Sequence, residues 1–485
     1  MMGDKYGELI GRLDGLDEFI EDVRKDWNVP ALSVCVVKDE GAIYEKGFGL
    51  RDPENGLAAD KDTVFRLASN TKAFTAASAA ILVDEGLLEW DRPIKDYISG
   101  FKLYDPYASE HVSMRDLLSH RTGLPAHDWA FRDPGLSAGD IVGRFRYLEP
   151  SFELRTKQQY NNWMFMLAGY VIRQVSGKKW DHFVKERILE PLEMNSTNFS
   201  QQKLYFSGNY AEHFYEKDGA LKKFQMRKET DPDELHPRAP AGAICSSAHD
   251  MSKWLILQLN EGRYKDRQII SGQSIREMHA PQMVDNWDSS YKEFGGSSCC
   301  LGWFRWSYRG RSIVIHSGAF GSQVIMIPEE KIGIVCLASL ATPLQEIIPF
   351  HIYDRLFGLD RIPWNERKKE EAAKWKEAEE QQFKNRDSDR KQGTRMSHTV
   401  DEYCGIYEHP AYGRICVREE AGGLYIDDVY GRMVLEHYHY ETCRAVSDGG
   451  ERFKITFHTD PKGILSTVSV PFEPAVRDIV FTRKA

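Results

Sequence analysis

Between residues 365 and 391 the chain carries 17 charged side chains in 27 positions, with Ala372, Trp375 and Phe383 forming a sparse apolar stripe. A segment this polar cannot enter a core, because every buried charge needs a partner. It predicts a solvated connecting helix and forces the chain to build a separate core on each side. The sequence therefore reads as a large domain over residues 1–360, a charged helical linker over 361–395 and a small domain over 396–485.

The large domain has a mixed pattern. Ile10, Leu13, Leu16, Phe19, Ile20 and Val23 recur at helical spacing before Val29-Pro30, which predicts one amphipathic helix between residues 10 and 27. Residues 31–38 and 42–49 have strand texture and flank Asp39-Glu40-Gly41, so they form an antiparallel hairpin. Far downstream, β-rich runs at 311–316, 323–327 and 332–338 are joined by turns containing Gly318, Gly321 and Pro328. Together these imply one antiparallel sheet assembled from both ends of the domain, with a helical and loop-rich middle. Beyond Gly393, β runs at 406–407, 415–417, 424–426, 433–440, 453–457, 465–470 and 479–481 alternate with Gly, Asp and Pro, the texture of a small barrel. The fold class is α+β: an antiparallel sheet flanked by helices with a helical subdomain, followed by a small all-β barrel.

Chemistry concentrates in three places. In Phe65-Arg-Leu-Ala-Ser69-Asn-Thr-Lys72, which runs into an apolar helix ending near Gly86, Ser69 and Lys72 stand three apart and share a helix face. A serine hydroxyl needs an adjacent base to become a nucleophile. A lysine serves if desolvation or a neighbouring cation brings its pKa down from about 10.4. Tyr160-Asn161-Asn162 opens a helix over residues 163–175 and sets a phenol and an amide at its entrance. His316-Ser317-Gly318 ends a strand, where the glycine admits close backbone approach.

The three elements Ser69-x-x-Lys72, Tyr160-x-Asn162 and His316-x-Gly318, in this order, resemble the serine β-lactamase and penicillin-binding-protein superfamily. The likeness is to its class C β-lactamase-related branch, which includes D-aminopeptidases, DD-peptidases and family VIII esterases. The segments at 117–125, 240–251 and 316–328 look like that branch, and the resemblance covers about residues 10–355. It implies a β-lactamase/transpeptidase-like domain in which Ser69 is acylated, Lys72 accepts or tunes its proton, and Tyr160 shuttles the proton to the leaving group. Asn162, His316 and Gly318 would bind substrate, and the backbone N–H groups of Ser69 and Ala319 would form the oxyanion hole. His316 stands where typical lactamases have lysine, which turns the reading away from a dedicated lactamase. An imidazole there is expected to change charge between about pH 5 and 8. Tyr403-Cys-Gly-Ile-Tyr407, Tyr412-Gly413, 435–440 and 470–474 resemble the lipocalin-like barrel appended to some relatives.

Charge narrows the partners. With 64 Lys+Arg against 73 Asp+Glu, a net −9, no overall positive field exists to hold nucleic acid or anionic lipid. The longest largely apolar stretch, 73–83, is too short to span a bilayer, and the N-terminus lacks a signal-peptide pattern, so cytoplasmic residence is expected. The expected activity is a metal-free, cofactor-free serine hydrolase acting on a small-molecule amide or ester: a D-amino acid peptide, a small ester or a lactam. An acyltransferase using the same residues and a non-catalytic scaffold are the alternatives, and homo-oligomerisation through the C-terminal domain is compatible with all three.

Other features carry blander readings. The eight cysteines, Cys35, Cys245, Cys299, Cys300, Cys336, Cys404, Cys416 and Cys443, show no metal or disulfide spacing and read as reduced. Cys299-Cys300 is expected in a loop near the site. His437 and His439, two apart on a strand, lack an evident third ligand. Gly272-Gln-Ser274-Ile-Arg276 fails the nucleophile-elbow pattern, because Arg276 replaces its second glycine. His120 is read as a loop brace. Of Trp129, Phe131, Trp163, Trp303 and Trp306, two are expected to face a substrate pocket and the rest to be core.

Overall fold

Seven consecutive buried residues in the strand Ala31–Lys38 (β1) demand cover on both faces. The computed structural model, which describes residues 6–199, 208–217, 219–224, 235–285, 291–447 and 450–484, provides it. β1 lies within a nine-stranded antiparallel sheet with β2 (Gly41–Asp52), β3 (Leu57–Ala58), β4 (Met283–Val284), β5 (Phe294–Cys299), β6 (Phe304–Tyr308), β7 (Arg311–Gly318), β8 (Ser322–Ile327) and β9 (Ile332–Ala338). The order is β4-β5-β6-β7-β8-β9-β1-β2-β3, so the N-terminal hairpin does pair with the late strands. Leu32, Val34 and Val36 of β1 join Ile325, Ile327 and Ile334 on one face, against α1 (Leu16–Asp26) and a helix over Leu344–Leu356. On the opposite face, the helix Ala248–Leu259 packs so closely that a Cβ on Gly333 would reach 2.9 Å from Leu255.

α2 (Thr71–Asp84) is buried from Thr71 through Leu82, the mark of a central helix. Phe74 stacks on Trp254 of Ala248–Leu259, with ring centroids 3.9 Å apart. Glu85 caps α2 and Gly86 follows at φ 71, where the left-handed backbone favours glycine.

The single N-terminal helix expected over residues 10–27 is interrupted. A short helix, Gly7–Gly11, is separated from α1 by a turn, and Gly15 takes φ 75. Among the described residues no helix is long and apolar enough to cross a membrane.

The chain forms two compact units. The first comprises Met1–Ile98, Ser113–Arg121 and Trp163–Ala373, and contains the sheet; the second comprises Ser99–Val112, Thr122–Asn162 and Lys374–Ala485. The charged stretch does form a helix, Trp364–Asn385, with Trp375 and Phe383 exposed.

In the second unit, eight strands from Gly405–His409 to Ile479–Arg483 close into a barrel. Seven match the expected runs. The eighth, Thr442–Ser447, points only the small Cys443 and Ala445 inward. Residues 122–162 pack on this barrel. Trp129 stacks on Phe472 at 5.2 Å and contacts Tyr430 and Phe453. The buried His127 ring lies 2.6 Å from the Tyr412 hydroxyl and 2.9 Å from Glu149 O, and its backbone N–H donates to Glu473 at 2.8 Å.

Trp129→Ala removes the centre of that aromatic cluster. For a half-buried tryptophan the expected destabilisation is about 2–3 kcal/mol, below the range for full-core positions. It is read as a lower denaturant midpoint, and an unchanged midpoint would show that the cluster contributes no stability.

Candidate active site

The segment before α2 approaches the end of β7 because Gly318 has no side chain. A Cβ there would lie 2.2 Å from Leu67 O and 3.1 Å from Ala68 Cβ. The Ser322 hydroxyl donates to Leu67 O at 2.7 Å and accepts from the Asn70 amide at 2.9 Å, tying β8 to the same turn. Ala68 takes a left-handed φ of 45, a conformation that costs a non-glycine residue about 1–3 kcal/mol and persists only where its surroundings fix it. Ser69 follows in the 3-10 turn Ala68–Asn70 and is partly exposed among buried neighbours.

Lys72 is fully buried, in the first turn of α2. Its ammonium donates to Ser69 Oγ at 3.1 Å and to Ala241 O at 2.9 Å. The Phe165 ring centroid lies 5.4 Å from Nζ, within cation–π range. The expected one-turn spacing of Ser69 and Lys72 thus becomes a direct hydrogen bond.

Two histidines adjoin this cation. His316 on β7 is 3% exposed, its Nδ1 lies 2.8 Å from Ser317 O, and its pKa is lowered to about 3, by burial first and by Lys72 second. The expectation that His316 changes charge between about pH 5 and 8 is therefore corrected: in this surrounding it stays neutral throughout that window. His120, at φ 55 and with its ring 5.2 Å from Phe165, is held well below its ordinary value by burial, then by Lys72 and His316. His120 is the neighbour whose proximity to Lys72 the sequence left unread; only its place in Ser119-His-Arg-Thr-Gly123 marked it.

Ala319 lies in the exposed turn after β7, which Gly321 closes by donating from its N–H to Gly318 O at 3.1 Å. Ser69, Lys72, His316, Gly318 and Ala319 all belong to the first unit, and Tyr160 and Asn162 to the second. Tyr160 is half-buried just before the helix Asn162–Ser176, which begins at Asn162. Between them Asn161 is buried and donates from its amide to Pro125 O at 2.5 Å.

A family model described as Beta-lactamase matches residues 16–349. The chain belongs to the Beta-lactamase family. A second model, a domain of unknown function (DUF3471), matches residues 389–483, the barrel region of this Beta-lactamase-family chain. Unguisins hydrolase ungD' of Aspergillus campestris is 29% identical over 512 residues, covering 96% of this chain and 91% of that protein. Unguisins hydrolase ungD of Aspergillus violaceofuscus is 27% identical, covering 73% and 67%. Protein flp of Staphylococcus aureus is 25% identical, covering 67% and 62%. The octameric penicillin-binding protein homologue from Pyrococcus abyssi shares the fold of this Beta-lactamase-family chain at a TM-score of 0.62 and 23% identity, over 96% of this chain and 99% of that one.

Other expected features resolve differently. Trp163 and Trp303 are core at 1% and 2% exposure, Phe131 is buried against Phe145, and Trp129 packs on the barrel. Cys299 closes β5 instead of lying in a loop, and Cys300 is buried, donates to His279 O and has its thiol pushed up to about 12 by burial. No disulfide joins any of the cysteines among the described residues. A bulge separates His437 from His439, and no group of three or more metal-ligating side chains occurs among the described residues.

Buried neutral imidazoles make stability depend on pH. His213, His279 and His316 have folded pKa values of about 3 against 6.5 when unconstrained, each owing chiefly to burial. Unfolding therefore takes up protons below about pH 6.5, so stability present above that value is lost as pH falls towards 3. The expected loss between pH 7 and 5 is at least about 1 kcal/mol per pH unit, read from denaturant unfolding across that interval. A flat profile would show that these rings are solvated.

Proposed function

We propose that this chain is a serine hydrolase that forms an acyl-Ser69 intermediate and releases it to water, acting on amide or ester substrates such as D-amino acid peptides, small esters or lactams. One observation carries the reading: a fully buried lysine with its ammonium 3.1 Å from the hydroxyl of a serine that remains partly exposed. The hydrolase names of the two Aspergillus relatives support the same class.

In this reading Ser69 Oγ attacks the substrate carbonyl and its hydroxyl proton passes to Tyr160, either through Lys72 acting as a neutral amine or directly to an ionised Tyr160 in the field of the Lys72 ammonium. The tetrahedral oxyanion is held by the backbone N–H groups of Ser69 and Ala319, each such donor contributing about 10²–10³ in rate. Tyr160 passes the proton to the leaving amine or alcohol as its bond to the carbonyl carbon breaks. Water then cleaves the acyl ester by the reverse route and regenerates Ser69. Asn162, His316 and Gly318 line the substrate.

The direct test is mass-detected labelling of the full chain by a fluorophosphonate, mapped by peptide. A single adduct on Ser69 is expected, and its absence from folded protein would overturn the reading. Ser69→Ala should abolish turnover. Tyr160→Phe should lower it by at least about 10²-fold, the lower end of general acid–base contributions. Unchanged turnover in the Tyr160 variant would assign the proton transfer to another group. The Pyrococcus abyssi neighbour is described as octameric, which motivates an assembly measurement. Light scattering is expected to give a homo-oligomer, and a monomer mass would refute assembly.

A further inference from the structure

Two buried side-chain atoms of β7 have no hydrogen-bond partner among the described residues, Arg311 Nε at the start of the strand and His316 Nε2 near its end, and only the second lies beside the Ser69 turn. Leaving such an atom unpaired in a buried place is unfavourable. Side chains two apart on a strand share a face. The face of Gly318 abuts Leu67 and Ala68, so His316 stands on the side of the sheet that carries the Ser69 turn. Packing does not explain a histidine here: its ring lies 5.5 Å from Phe304, a contact that a phenylalanine would make equally well.

The tautomer follows from its neighbour. Ser317 O, 2.8 Å from Nδ1, only accepts, so Nδ1 carries the ring proton. Nε2 is then a bare lone pair that seeks a donor. A second proton on the ring would put another cation beside Lys72 in a water-excluded core, and burial opposes it further. Lys72 directs donors at Ser69 Oγ and Ala241 O, which commits at least two of its three.

We propose that His316 determines specificity by accepting, at Nε2, a hydrogen bond from an uncharged N–H or O–H group of the bound acyl donor. Substrates presenting a carboxamide or hydroxyl at this position are thereby selected over those presenting a carboxylate. A carboxylate would set its own lone pairs against that of Nε2 and leave both unpaired in a desolvated site. The inference rests on the serine hydrolase reading and names the substrate chemistry of the same site.

The test compares N-acyl-alanine esters of glycolamide and of glycolic acid, which differ only in carboxamide against carboxylate. With the wild-type full chain, kcat/KM is expected to favour the glycolamide ester by at least about tenfold, a floor well under the about 10⁴–10⁵-fold that a site built to pair one polar group can reach. If neither ester is turned over, protection of Ser69 from the fluorophosphonate by the two compounds is compared, with stronger protection expected from the glycolamide. In His316→Lys the preference should invert, and in His316→Phe it should vanish, with folding checked by melting profiles. The wild-type comparison stands even if a variant does not fold. Preference for glycolate, equal preference, or a preference surviving in His316→Phe would overturn the inference. Absence of any Ser69 adduct marks failure of the hydrolase reading; an adduct without discrimination marks failure of this inference alone.

Discussion

The architecture around Ser69 depends on one backbone approach, that of Gly318 to the carbonyl of Leu67. Any larger residue at 318 would set its Cβ 2.2 Å from that oxygen, deep inside van der Waals contact. Ser322 and Asn70 then lock the contact with two hydrogen bonds. Ala68 is held in its left-handed conformation between them, so Ser69 is presented on a turn whose strain the sheet and α2 jointly sustain. Ala319 follows Gly318 and Ser69 follows Ala68, so the two residues whose backbone N–H groups are proposed to hold the oxyanion directly adjoin the same contact. Pre-organised donors cost no rearrangement when charge develops, which is the part this contact would play in the proposed reaction.

The second constraint is electrostatic. The chain has a net charge of −9, yet the core beside Ser69 holds a fully buried lysine. A charge in low dielectric acts strongly on its neighbours. Lys72 and burial together keep His120 and His316 neutral, which restricts this cluster to the charge on Lys72. The arrangement is internally consistent: a protonated His316 would place a second cation beside Lys72 and raise the desolvation cost of both. The whole-chain charge therefore disfavours polyanion partners and says nothing of the site, where a cation and two uncharged imidazoles set the field.

Features with a local signature were legible in the sequence, and those fixed by distant contacts were not. Ser69 and Lys72 stand one helical turn apart, the runs at residues 31–38 and 42–49 have strand texture on either side of a turn, and β7, β8 and β9 show as apolar runs. α1 was overextended because Leu13 continues the apolar spacing across a break made by Gly15 at φ 75, a backbone choice that apolar periodicity does not record. β5, Phe-Gly-Gly-Ser-Ser-Cys, has the composition of a turn and becomes a strand through pairing with β6. The barrel strand Thr442–Ser447 was missed because Cys443 and Ala445 are too small to mark a buried face. The neutrality of His316 needed its three-dimensional surroundings, since burial and Lys72 produce it.

The least legible feature is how residues 122–162 keep their shape. This stretch places His127, Phe131 and Arg155 at φ 45, 57 and 67, three non-glycine residues in the left-handed region. At about 1–3 kcal/mol each, such residues persist only where neighbours over-determine them. Gly123 adds a close approach, since a Cβ there would lie 2.1 Å from Phe152 O. Much of the compensation comes from partners more than 250 residues away along the chain: Tyr412 and Glu473 on His127, Ala411 O on the Phe131 N–H, and Phe472 against Trp129. Asn161, fixed to Pro125 O, sits directly between Tyr160 and Asn162. The barrel is therefore a structural partner of the segment that bears the phenol and the amide, and the order of that segment is a property of the second unit as a whole.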